Sequence, residues 1–295
     1  MSQPGAYMAT ELASQPDVWS RAIAQGDEGK LPPAGARIAV VGCGTSWFMA
    51  QSYAALRESA GLGITDAFAA SEAFIDRDYD AVVALTRSGT TTEVLELLEH
   101  LGGSTRTVAV IGDTATPIVD MVDQVIAFPY ADETSVVQTR FATTALTFFR
   151  HSTGADVSQQ IADAHAVLAE ELPAELVQAE QFSFLGRGWT TGLAHEAALK
   201  MREASQSWTE SYSAMEYRHG PIAIAAPGRV TWMFGEAPEG LAGQVGAAGA
   251  HFENAKIDPL ADLVRAQRVA LQRALDAGLD PDTPRNLTRS VILDA

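Results

Sequence analysis

The chain has 295 residues, enough for two core-forming units of ordinary size, and its 47% hydrophobic and 19% charged residues describe a globular protein rather than a disordered one. Its 37 acidic residues against 20 basic ones leave a formal charge of -17, a surface that repels nucleic acid and anionic lipid, so an anionic ligand has to be held by local donors. Cys43 is the only cysteine, which excludes an intramolecular disulfide and a cysteine-based zinc cluster and fits a reducing cytoplasm.

Residues 1–17 lack a basic stretch followed by an apolar run, and no segment reaches the roughly 20 apolar residues that cross a bilayer. A soluble, unprocessed cytoplasmic protein is therefore expected, with neither a membrane nor a nucleic-acid partner. After Leu31-Pro32-Pro33, the run Arg37-Ile38-Ala39-Val40-Val41 has the length and branching of a buried parallel strand, and Gly42-Cys43-Gly44-Thr45-Ser46 makes a turn. Residues 47–58 read as a helix. Strand 81–85 repeats the pattern ahead of a second polar turn, Thr86-Arg87-Ser88-Gly89-Thr90-Thr91, and Val94, Leu97, Leu98 and Leu101 then recur at helical spacing. A further strand follows at 107–111. Strands alternating with helices in this way imply a mostly parallel sheet with helices on both faces, a doubly wound α/β lobe.

A helix-rich stretch over 139–171 reaches Leu172-Pro173, after which Phe182-Ser183-Phe184-Leu185-Gly186-Arg187-Gly188 restarts the strand-to-glycine pattern. The expectation is an N-terminal lobe over residues 1–172 and a C-terminal lobe over 173–295. The second contains a helix at 193–207, a strand at 229–234, a helix at 259–277, and a short final strand around 290–293 before the tail. No short-period repeat or low-complexity tract interrupts the chain.

Two turns at the carboxyl ends of strands, Gly44-Thr45-Ser46 and Ser88-Gly89-Thr90-Thr91, combine glycine with hydroxyl groups at the start of a helix. Backbone N–H groups there, aided by Ser and Thr hydroxyls, bind a phosphate without any net positive charge on the protein. The same residues also serve as ordinary helix caps, and one such turn alone would say no more than that. Gly42-Cys43-Gly44 begins like a dinucleotide fingerprint, but Trp47 stands where a third small residue is needed, and the nucleoside-triphosphate loop spacing is missing. Glu196, Lys200 and Glu203 fall on one helix face at i, i+4 and i+7. Spacing alone favours an ordinary solvated face with ion pairs. His219-Gly220-Pro221 places a histidine at a tight turn, suited to proton transfer although a lone histidine is more often structural. The six histidines show no zinc-ligand spacing, and no metal or cofactor is expected.

In order and spacing, these pieces resemble the sugar isomerase (SIS) family, and in particular the isomerase half of glutamine–fructose-6-phosphate aminotransferase, from Ile38 to Leu293. The matching segments are Gly42-Cys43-Gly44-Thr45-Ser46, Ser88-Gly89-Thr90-Thr91, residues 133–144, Phe184-Leu185-Gly186-Arg187-Gly188, Ala198-Leu199-Lys200-Met201-Arg202-Glu203, Arg218-His219-Gly220-Pro221 and Pro284-Arg285-Asn286-Leu287. The resemblance implies two doubly wound parallel-sheet SIS lobes. It also implies that Thr45, Ser46, Ser88 and Thr91 bind a sugar phosphate in a pocket lined by Cys43, Gly44, Thr86 and Val136. By the same resemblance Glu203 is the base that moves a proton between carbon 1 and carbon 2, Lys200 supports it, and His219 opens the sugar ring. The family supplies that histidine from a neighbouring subunit, so a homodimer is implied.

Three departures bear on function. No Cys follows Met1 and the only cysteine, Cys43, lies in the first turn, so no glutaminase half is expected. Arg289 stands where the aminotransferase carries its imine-forming lysine, and an always-protonated guanidinium cannot form an imine. Arg87 and Thr90 replace a glutamine and a glutamate, and Gln138 a serine. Arg87, Gln138 and Arg289 are accordingly counted with the binding residues, and the substrate is expected to differ from fructose 6-phosphate. The implied activity is that of an amino-sugar-phosphate deaminase/isomerase. Aldose–ketose isomerisation, deglycation of a sugar–amino-acid phosphate, and a non-catalytic sugar-phosphate sensor are the alternatives.

Overall fold

The computed structural model describes residues 3–293. Helices α1 (Ala6–Ala13) and α2 (Gln15–Gln25) open the chain, followed by β1 (Ile38–Gly42), α3 (Thr45–Ser59), β2 (Thr65–Ala69), β3 (Ala81–Thr86), α4 (Thr92–Leu101), β4 (Arg106–Ile111), β5 (Gln124–Ala127) and α5 (Arg140–Ser152). After α6 (Ser158–Ala169) and α7 (Ala174–Val177) come β6 (Gln181–Gly186), α8 (Thr190–Ser205), β7 (Thr209–Ser213), β8 (Arg229–Met233), α9 (Leu241–Ala247), β9 (His251–Glu253) and α10 (Pro259–Asp276). The expected strands and helices up to α10 are present within a few residues of their expected bounds. No helix of the described residues is long and apolar enough to cross a membrane.

Contacts group the chain into two compact units, each assembled from separate stretches. The first comprises Asp17–Glu133, Arg140–Val157 and the chain from Thr288 onward; the second comprises the chain up to Pro16, Thr134–Thr139 and Ser158–Leu287.

In the first unit a five-stranded sheet runs in the order β2-β1-β3-β4-β5, and every pairing is parallel. Alternate strand residues point to opposite faces. Ala39, Val41, Val82, Ala84, Ala109 and Ile111 pack with Val94, Leu97, Leu98 and Leu101 of α4. Helix α3 lies against β1, β2 and β3 and packs in turn on α5, with the Tyr53 and Phe149 rings stacked at a centroid separation of 4.0 Å.

The second unit holds a four-stranded parallel sheet in the order β7-β6-β8-β9. Leu185 and Met233 meet Leu241 and Val245 of α9 on one face. Phe182, Phe184, Trp232 and Phe234 form a ladder of rings along the opposite face, against which α8 and α10 lie. Helix α1 is held in this unit by Asp282, whose carboxylate accepts from the N–H groups of Tyr7 and Met8 at 2.9 and 2.8 Å. A carboxylate at the amino end of a helix satisfies donors that have no partner within it.

The short final strand expected at 290–293 does not form. Val291, Ile292 and Leu293 are exposed, and their backbone bonds to the first turn of α4: Thr92 N–H donates to the Val291 carbonyl at 3.2 Å. The Leu293 N–H donates to Thr92 Oγ1 at 2.9 Å. A brief apolar run satisfies its polar backbone equally well at a helix end as in a ladder, so its composition does not specify a strand.

One polar group penetrates the ring-lined core. Asp262 of α10 is 1% exposed and accepts from Trp232 Nε1–H at 2.9 Å. Burial pushes its pKa up to about 7, against the opposing pull of that hydrogen bond and of Arg265. A carboxyl whose folded pKa is raised contributes stability that is full below its unfolded value and is lost as pH rises through the folded one. Wild type should therefore lose thermal stability between pH 5 and pH 8 more steeply than Asp262→Asn, with the variant the more stable of the two at pH 8; parallel melting-temperature profiles would contradict this.

Candidate active site

The strand order reverses direction between β1 and β3, which lie side by side with Val41 opposite Ala84. The chain leaves β1 into α3 on one face and β3 into α4 on the other. In open α/β sheets this divergence opens a crevice beyond the carboxyl ends of the strands, where ligands bind. Both hydroxyl-rich turns stand there.

The first turn pivots on Gly44, whose φ of 52° and ψ of -121° suit only a residue without a side chain. It delivers Thr45 and Ser46, both buried, to the first turn of the fifteen-residue helix α3. Cys43 lines this turn half-buried. Burial, reinforced by the Glu93 charge, pushes its thiol up to about 11, so it is protonated at neutral pH and is not a nucleophile.

The second turn pivots on Gly89, at φ 63°, where an added Cβ would come within 2.3 Å of Thr116 Oγ1. Its N–H donates to Thr86 Oγ1 at 3.3 Å, which fixes Thr86 beneath the turn. Ser88 Oγ accepts from Thr90 N–H at 3.3 Å. Ser88 and Thr90 hydroxyls both donate to Ser290 Oγ, each at 3.1 Å, and Thr91 Oγ1 lies 3.4 Å from the same atom. No sequence periodicity points to Ser290, which is 202 positions from Ser88.

The two arginines expected among the binding residues are held by the protein itself. Arg87 is buried, 3.9 Å from the Glu133 carboxylate, and its Nη2 donates to the Arg289 carbonyl at 2.9 Å. Arg289 in turn places Nη2 at 2.7 and 2.8 Å from the two Asp132 oxygens and donates Nη1–H to the Glu133 carbonyl. The Glu133 carboxylate caps α5 as well, accepting from the N–H groups of Arg140 and Phe141 at 2.7 and 3.1 Å. Neutral hydroxyl and amide donors thus form the turns, with both guanidinium charges balanced nearby.

In the second unit the charged face of α8 is a buried cluster rather than the solvated face that spacing favours. Lys200 is 1% exposed and Glu196 0%. Lys200 Nζ lies 3.6 Å from Glu196 Oε1 and donates to Glu203 Oε2. Glu203, whose side chain is 20% exposed, faces an open hollow of about 350 Å³ bordered also by Leu199, Gln206 and Asn286. Lys200 thus joins a buried carboxylate to the one that borders the hollow. His219 ends the turn Glu216–His219 and is exposed. Val136 N–H donates to the Asp282 carbonyl at 3.1 Å, and Gln138 Nε2 is buried with no hydrogen-bond partner among the described residues. His195, one turn before Leu199, shares a 2.9 Å hydrogen bond with Ser211 Oγ, and burial lowers its pKa.

No family model matches the chain. A glutamine–fructose-6-phosphate aminotransferase of Pyrobaculum aerophilum is 25% identical over 98% of this chain and 58% of its own length. This chain therefore spans less than two thirds of that relative. The structure of a glucosamine-6-phosphate deaminase from Thermotoga maritima superimposes with a TM-score of 0.81 at 23% identity, covering 98% of this chain and all of that one. The C-terminal domain of the aminotransferase of Francisella tularensis gives 0.74 at 22% identity, with 94% and 98% covered. The fold is the SIS fold, and the chain resembles the isomerase half of the aminotransferase.

The α8 cluster makes a stability prediction. Replacing Lys200 by Met leaves two carboxylates, one wholly buried, without their shared cation, and removal of one partner from a buried charge group costs about 3 kcal/mol or more. Lys200→Met should lower unfolding free energy in urea by at least that amount, and adding Glu196→Gln should recover part of the loss; a neutral single variant would mean the cluster is solvated in solution.

Proposed function

We propose that the protein binds a phosphorylated hexose or amino-hexose and acts as an amino-sugar-phosphate deaminase/isomerase in the cytoplasm. The observation that carries this reading is the pairing of Lys200 with Glu203 at an open hollow, in a chain whose other sheet sets two neutral hydroxyl turns at its switch point. Resemblance to the aminotransferase's isomerase half, and the fold shared with a glucosamine-6-phosphate deaminase, support the same assignment.

In this reading Thr45, Ser46, Ser88 and Thr91 take the phosphate, with Cys43, Gly44, Thr86 and Val136 around it. Hydroxyl and N–H donors suit a phosphate because each accepts its geometry without the desolvation cost of a buried unpaired cation. His219, supplied by a neighbouring subunit of a homodimer, moves the proton that opens the sugar ring. Glu203 then takes the proton from carbon 2 as the carbon 1 oxygen is protonated, giving an enolamine, and returns it at carbon 1 as the amine gives up one N–H proton to solvent, while Lys200 holds its carboxylate in place. The carbon 2 imine so formed adds water and releases ammonia, leaving a ketose phosphate.

Transfer of nitrogen from glutamine is not part of the proposal. Position 289 carries a guanidinium that cannot form an imine, and that guanidinium is bound to Asp132. Gln138 Nε2, a buried donor, is assigned to a sugar oxygen.

The test is ammonia release from glucosamine, galactosamine and fructosamine 6-phosphates, with product analysis to separate deamination from plain isomerisation or deglycation. Wild type should turn over at least one, and Glu203→Gln should lower kcat roughly 100- to 10,000-fold with little change in ligand affinity. Binding without turnover, unaffected by Glu203→Gln, would make the protein a sensor instead.

A further inference from the structure

We infer that Ser290 is a member of the phosphate cradle, and that the Arg289–Asp132 ion pair is the latch that positions it there. This rests on the sugar-phosphate reading above and adds to it a binding residue and a positioning pair from the end of the chain.

Ser290 Oγ occupies the point on which three hydroxyls of one turn converge, at 3.1, 3.1 and 3.4 Å from those of Ser88, Thr90 and Thr91. Each hydroxyl has one proton to give and lone pairs to accept. Four hydroxyls gathered around one helix start, three of them in contact with the fourth, can rotate those protons toward a single anion, whereas three alone leave the side facing Ser290 without a donor. The segment reaches this place by fixed contacts on both flanks. Upstream, Arg289 is held through Asp132 and the Glu133 carbonyl, while Arg87 grips its carbonyl oxygen. Downstream, the Val291 carbonyl and the Leu293 N–H bracket Thr92. A hydroxyl so restrained on both sides forms its ligand bond with little further ordering cost. The ligand class is a phosphate monoester, because only the phosphoryl end of a sugar phosphate presents several acceptor oxygens to a ring of donors.

The probe is glucosamine 6-phosphate, with inorganic phosphate as the second ligand, measured by calorimetry and by steady-state kinetics on the full chain. Ser290→Ala should weaken both ligands about five- to tenfold, raising KM for the sugar phosphate while kcat changes less than twofold, at an unaltered melting temperature. Asp132→Asn should shift KM in the same direction, and Arg289→Lys, which retains a charge for Asp132, should recover part of the loss seen in Arg289→Gln. Unchanged or tighter binding in Ser290→Ala would overturn the inference and leave the sugar-phosphate reading intact. Failure of wild type to bind either ligand would overturn both.

Discussion

Parallel pairing of β1 with β3, at the one place in the first sheet where successive connections depart to opposite faces, is the constraint on which the two hydroxyl-rich turns depend. Because α3 and α4 leave in different directions, neither helix covers the strand ends. The turns that begin those helices carry the hydroxyl residues Thr45, Ser46, Ser88 and Thr90, of which Ser88 and Thr90 bond to Ser290. Geometry then restricts sequence. Gly44 must adopt a backbone conformation closed to side chains, and Gly89 has no room for a Cβ beside Thr116. Hydroxyl residues around these glycines supply donors of a size that the crevice admits.

Charge placement on α8 obeys a different constraint. A lysine at 1% exposure is tolerated in a core only if carboxylates compensate it, and the helical repeat sets Glu196 and Glu203 on the two sides of Lys200. Glu196 is wholly buried and anchors the ammonium; Glu203 is the member that emerges at the hollow. An acid–base carboxylate, the role proposed for Glu203, needs both a fixed orientation and access, and in this cluster Glu196 is buried while Glu203 borders the hollow.

Legibility in the sequence followed the strength of the local pattern. Strands β1 and β3 are uninterrupted aliphatic runs buried along their whole length, and the amphipathic repeat of α4 is unambiguous, so these elements were readable. Strands β2, β5, β7 and β9 were not, since short edge or near-edge segments such as Thr65-Asp66-Ala67-Phe68-Ala69 mix polar and apolar residues without alternation. The two turns and the i, i+4, i+7 charge face were visible as patterns, yet burial of that face was not, because spacing carries no information about what lies opposite. Nor could any window reveal the convergence on Ser290, or the docking of Arg289 on Asp132, since both depend on contacts across more than half the chain. The apolar residues 291–293 misled in the other direction: composition suggested a strand where the backbone is bound to a helix end.

A net charge of -17 opposes the holding of an anion, and the arrangement around the second turn shows what a proposed anion site has to work with. Arg87 and Arg289 stand close to the turn, but Glu133 and Asp132 offset them, so neither presents an uncompensated cation to the ligand. The donors are neutral: hydroxyls, and N–H groups at helix starts, whose favourable field is local to the first turn. Such a site attracts anions weakly from a distance and relies on short contacts for its hold. On the proposed reading it discriminates by shape, favouring a tetrahedral group that fits among several fixed oxygens over a mobile anion of equal charge.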